Sequence, residues 1–180
     1  MDVLSAIFSC FPSGGRPSDI TVVCNQMAFT EKDAQLADDI VDILFEAEKP
    51  GQALQHQLKG VVHPEGWYKG LAKRILHGVE NALNRGKPMG HAMKKAFDRA
   101  SAAANEFVQE HPVFAAAIVT VAAIGILVLL VPWVVEALGF AELGPVEGSF
   151  AAWWQSTFPD AEAGSFFSYL QKLGMRWGET

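Results

Sequence analysis

The chain has 180 residues, half of them hydrophobic, and its 14 Lys/Arg against 20 Asp/Glu give a net charge of −6. That length suits one domain, or one domain with a tail. The negative balance excludes a general nucleic-acid binder, which carries a coherent basic surface; two cysteines, Cys10 and Cys24, are too few and too near the start for a disulfide framework.

Residues 1–29 read as an apolar segment and a flexible linker. MDVLSAIFSCF is short, and Asp2 stands where a secretory signal carries positive charge; an acidic start also fits poorly with an Arg-rich presequence. The stretch reads either as an interfacial helix, with Cys10 open to S-acylation, or as a small helix docked on the helices after it. PSGGRPS at residues 12–18 breaks the chain, and residues 20–24 have the β-branched look of a strand without a partner, so they are left as extended chain.

Residues 30–111 read as an amphipathic helical region. Thr30 and Asp33 suit a cap, and Leu36, Ile40, Ile43, Leu44 and Ala47 fall on one face of a helix whose other face carries Asp38, Asp39, Asp42 and Glu46. That acidic run lacks an Asx-Gly calcium loop and is read as a solvated face. Pro50 and Gly51 end the helix, and a second, over residues 52–62, turns Leu54, Leu58 and Val61 inward. A third begins near Gly66 with the stripe Trp67, Leu71, Ile75, Val79 and Leu83, and Gly86 and Pro88 close it. A fourth, over residues 89–110, places Met93, Ala96, Phe97, Ala100, Ala104 and Phe107 on one side. Lys69, Lys73, Arg74, Lys94, Lys95 and Arg99 on these last two helices form a candidate basic patch for anionic lipid, the alternative being a bundle packed on the acidic helix.

Residues 112–135, PVFAAAIVTVAAIGILVLLVPWVV, contain no charge. Pro112 suits a first helical position, Ile118, Ile124 and Leu130 fall within the run, and Pro132 interrupts it before Val135. The unbroken part, at about 1.5 Å per residue, reaches about 28 Å, sufficient for the bilayer interior. The run is read as a membrane span; the alternative is the buried central helix of a soluble helical module. Eight Lys/Arg in residues 61–111 against two in residues 112–180 place the N-terminal region on the cytosolic side by the positive-inside tendency.

After the span, GSFAAWWQ at residues 148–155 and GSFFSYLQ at residues 164–171 align without gaps. Pro145 after Gly144, and Gly174 after Leu173, bound two short helices joined through Phe158, Pro159 and Asp160. Gly144, Gly148, Ala152 and Ser156 recur every four residues, the spacing that lets helices approach closely in lipid, and Gln155 and Gln171 occupy matching places from which to hydrogen-bond across the hairpin or to a partner. The small faces predict self-association into a homo-oligomer.

The segment from Pro132 to Met175 resembles the interferon-inducible 6-16 family of small hydrophobic proteins, its fungal members in particular. The matching positions are Gly139 and Phe140, then Gly144, Gly148, Ser149, Ala151, Ala152, Gln155 and Ser156, then Gly164, Ser165, Leu170, Gln171 and Gly174. Lys172, Ser168 and the bulky Trp153–Trp154 pair depart from the family pattern. The resemblance implies a non-enzymatic integral membrane protein of mitochondrial or endoplasmic-reticulum membranes, connected with regulation of cell death.

Catalysis finds little support in the residues. His56, His63, His77, His91 and His111 are scattered, and no HExxH, GxSxG or Walker loop occurs. His77 and Glu80, one turn apart, are read as a surface pair. No cofactor or metal site is expected. The expected fold is all-α: an N-terminal helical region, one hydrophobic membrane-type helix and a short helical hairpin of small residues.

Overall fold

The computed structural model describes residues 31–61, 69–162 and 164–175. The apolar opening, the linker, the Thr30 cap, His63, Gly66 and Trp67 lie outside the described residues.

Among the described residues the fold is all-α apart from one small hairpin. Helices α1 (Glu31–Glu46), α2 (Gln52–Val61), α3 (Lys69–Asn84) and α4 (His91–Glu110) are followed by a 3-10 segment, Pro112–Ala117, then α5 (Ile118–Leu130) and α6 (Pro132–Ala137). Strands β1 (Phe140–Ala141) and β2 (Gly144–Pro145) and helices α7 (Phe150–Thr157) and α8 (Ser165–Lys172) complete it.

Helices α1 to α4 form where apolar side chains recur every three or four residues. Ile40 and Leu44 of α1, Leu54 and Leu58 of α2, Leu71, Ile75 and Val79 of α3, and Met93, Ala100 and Ala104 of α4 are buried. They pack as a bundle, α1 against α2 and α3, with charge complementarity at its edge. Lys87 pairs with Asp42 of the acidic helix, and its ammonium lies 5.3 Å from the Phe45 ring centroid.

Pro112 occupies the start of the 3-10 segment, and Pro132 opens α6 after a break at Val131, whose φ of −145° is not helical. Because proline lacks an amide donor and crowds the preceding turn, α5 stops at Leu130. The stretch Pro112–Leu130 is 19 residues long and apolar enough to cross a membrane.

The chain between Gly144 and Ser149 is not helical. Gly144 and Pro145 pair antiparallel with Ala141 and Phe140, and α7 begins at Phe150, capped by the Ser149 side chain, whose oxygen accepts from the Ala152 amide at 3.2 Å. The four-residue spacing of Gly144, Gly148, Ala152 and Ser156 therefore does not make one helical stripe. Gly144 has φ +116° and Gly148 φ +69°, and only Ala152 and Ser156 lie on the helix.

Candidate functional site: the apolar helix and its cover

Helix α5 is the centre of the molecule. Every residue from Thr120 to Val128, and Leu130, is buried, while Val119 is 37% exposed. Over the wider apolar stretch, 56% is buried. A helix apolar on all sides must be covered on all sides; here α4 lies along it, with α3, α6 and the C-terminal α8 on its other flanks. Ile124, Leu130 and Val135 are fully or almost fully buried, Ile118 is half-buried, and Pro112 faces solvent.

Three polar contacts fix this cover to the helix. Thr120, the sole polar side chain of α5, donates its hydroxyl to Glu80 of α3. Glu80 is 8% exposed, so the His77–Glu80 pair is not a surface pair: His77 Nδ1 lies 3.6 Å from Glu80 Oε2 on the solvent side, and the carboxylate reaches inward. Burial pushes the Glu80 carboxyl above its ordinary value, against the opposing effects of the Thr120 hydroxyl and His77. From α8, the buried Tyr169 hydroxyl donates to the Val121 carbonyl at 2.9 Å, and burial raises its pKa. From α2, the Gln55 amide donates to the Leu130 carbonyl at 3.1 Å, answering one of the carbonyls that a helix end leaves unpaired.

Gly125 sets the distance of α8. A methyl group there would lie 2.5 Å from Tyr169 Oη and 3.0 Å from Ala100 Cβ and from Leu173 Cδ1. Surface contacts reinforce the approach of α8 to α4: Lys172 Nζ pairs with Glu106 at 2.6 Å, and an Arg99 guanidinium N–H donates to the Leu173 carbonyl at 3.3 Å.

The residues expected to mediate assembly divide in two. Ser149 and Ser165 are buried, Ala152 and Gly144 are half-buried, and Gly148, Gln155, Ser156, Gly164, Gln171 and Gly174 are exposed. The two GSF segments are equivalent at their glycines, with Gly148 and Gly164 both left-handed at φ +69° and +80°. They differ at their serines: Ser149 caps α7, whereas Ser165 is the first residue of α8, with Gly164 as its cap.

The basic residues do not form one free patch. Lys73 and Arg74 are half-buried, Lys94 pairs with Asp98 at 2.6 Å, Arg99 is committed to Leu173, and Lys95 is exposed. The side chain of Lys69 lies outside the described residues.

Beside the C-terminal helices lies a cavity of about 400 Å³. Phe114, Phe140, Trp154, Phe158 and Phe166 supply aromatic walls, and Glu142 and Glu162 also line it. Neither these carboxylates nor Thr120, Tyr169 and Gly125 were expected from the sequence to carry a role. The available signal was Thr120 itself, one polar residue in an uncharged run.

The interferon-induced 6-16 family matches residues 117–177, about a third of the chain. The match reaches back beyond Pro132 to include the whole of α5. It ends, on its upstream side, where the covering helices α1 to α4 have already been laid down. No curated protein and no solved structure matches the chain. The matched family is not a known enzyme family, and together with the apolar helix it fits a membrane protein.

Proposed function

We propose that the protein is a non-enzymatic membrane protein that enters and assembles within an organelle membrane, altering its permeability in a stress or cell-death response. Helices α1 to α4 then act as a sheath that covers α5 until it meets the bilayer. The observation that carries this reading is the division of labour around α5: the helix lies in the family segment, while α3 and α4, two of its principal covers, lie outside it. The resemblance to the 6-16 family supports a mitochondrial or endoplasmic-reticulum membrane, and the charge asymmetry supports a cytosolic N-terminal region. Assembly would use the exposed small residues: Gly148→Leu and Gly164→Leu are expected to leave integration intact and abolish crosslinked oligomers.

Extraction of organelles at alkaline pH tests the reading on the full chain. Retention in the membrane pellet is expected, and complete release overturns it. Release would favour a second reading, a soluble helical interaction module, which the burial of 56% of the apolar stretch supports.

A further inference from the structure

The cavity beside α7 and α8 has a chemical character of its own. Its volume of about 400 Å³ is within the range of small-molecule sites. Phe114, Phe158, Trp154 and Phe166 form a contiguous aromatic wall: ring centroids are 4.5 Å apart for Phe114–Phe158, 4.8 Å for Trp154–Phe158 and 5.8 Å for Trp154–Phe166. Among the described residues no Lys, Arg or His lines the cavity, and the charged side chains that do are Glu142 and Glu162, both exposed at its rim. Neither has an ion-pair partner among the described residues.

Aromatic faces carry negative potential and attract cations, most strongly where water is excluded. Carboxylates at the mouth add charge of the same sign, and an anion entering would meet both. A neutral apolar molecule would gain from the walls alone, leaving the carboxylates without a counter-charge. We infer that this cavity binds a small lipophilic cation, an organic ammonium with an aromatic or branched apolar body, through its aromatic wall and the Glu142 and Glu162 carboxylates. The site belongs to the covered form of the protein, since Phe114 in its wall lies in the 3-10 segment that opens the apolar stretch, the other walls coming from the β-hairpin and the last two helices.

Benzyltrimethylammonium and its neutral isostere neopentylbenzene share a shape and differ in charge, so the pair isolates the electrostatic part of binding. Each is titrated into the water-soluble fraction of the full chain, in which α5 is covered. Occupancy is read from the Trp154 indole N–H resonance, assigned by its loss in Trp154→Phe. The cation is expected to bind about tenfold more tightly than the isostere. The double variant Glu142→Gln/Glu162→Gln, altered only at exposed positions, should lose most of that preference while keeping its affinity for neopentylbenzene. Ala161→Trp, which places bulk in the cavity, should weaken both ligands. Equal binding of the two probes by the parent, no binding of either, or a preference that survives in the double variant would each overturn the inference. So would undiminished cation binding by Ala161→Trp, which would put the cation elsewhere.

Discussion

Burial makes the Glu80 carboxyl harder to charge in the folded protein than in water. Its ordinary value is 4.5, and burial raises it in the folded state. A folded value above the unfolded one means that the fold binds this proton more tightly. The associated stability is therefore complete below the ordinary value and is lost as pH rises through the raised one. Glu80→Gln keeps an acceptor for Thr120 and removes the titration, so the difference in Tm, variant minus parent, is expected to grow as pH is raised above 4.5. Thermal melts of both proteins across that range decide it, and a difference that shrinks with pH would reverse the assignment. A second residue-scale expectation concerns two glycines with similar backbones and different surroundings. A methyl at Gly139 (φ +94°) would fall 2.2 Å from Ser149 Cβ and Oγ, whereas one at Gly148 (φ +69°) meets nothing within 4 Å. Gly148→Ala should cost about 1 kcal/mol from backbone strain alone. Gly139→Ala adds overpacking at the Ser149 cap and should cost about 2 kcal/mol or more. Urea midpoints for the two variants measure the gap, and equal losses would show that the Ser149 contact contributes nothing.

At the scale of elements, α5 can be asked which environment it was built for. Ile124→Arg, at a fully buried position, would harm the bundle and a membrane span alike and so separates nothing. Val119 does separate them, being 37% exposed in the bundle yet near the middle of Pro112–Leu130. Val119→Lys should leave the thermal melt of the aqueous form within about 0.5 kcal/mol of the parent, while a charge near the centre of a span costs about 2.5 to 3.5 kcal/mol. Reduced recovery in the alkaline-resistant membrane fraction, with an unchanged melt, is expected; equal recovery would mean that α5 does not cross. The ambiguity was already present in the residues. An uncharged run states that water must be kept away, and lipid and protein both satisfy that demand, so sequence periodicity could locate α5 without naming its cover. Helices α1 to α4 were legible because Ile40 and Leu44, or Ile75 and Val79, repeat at the period of a single buried face. The β-hairpin was not. Its strands are two residues each, set by positive φ at Gly139 and Gly144 and by the Val146 amide bonding the Gly139 carbonyl at 2.9 Å. A glycine followed by proline reads equally well as a helix start. Likewise, Glu80 was legible as a neighbour of His77 but not of Thr120, which is 40 residues away.

For the whole molecule, the burial of α5 and its proposed insertion are compatible only if its cover can part. The contacts that hold α8 onto α4 and α5 include one buried hydrogen bond, from Tyr169 to Val121, and the surface pair Lys172–Glu106, whose side chains are each 54% exposed. Exposed pairs of that kind contribute about 0–1 kcal/mol, so they orient the closed form without locking it. A bilayer offers α5 an apolar environment in place of the one it leaves, and the cost of parting then falls mainly on the polar contacts and on the apolar faces of α3 and α4. If this is how the protein enters a membrane, the separation of Lys172 Nζ from Glu106, 2.6 Å in the covered form, must increase on insertion. A carbodiimide joins an amine to a carboxylate directly, adding no spacer, and so reports this pair only while the two groups touch. Applied to the full chain, it is expected to yield the Lys172–Glu106 crosslinked peptide from the aqueous fraction and to yield much less of it from the alkaline-resistant membrane fraction. The Lys94–Asp98 pair, within one turn of α4, serves as the internal standard because it persists wherever that helix stays folded. Equal ratios of the two crosslinks in both fractions would mean that the bundle enters the membrane closed, and the sheath would then be a permanent part of the inserted protein.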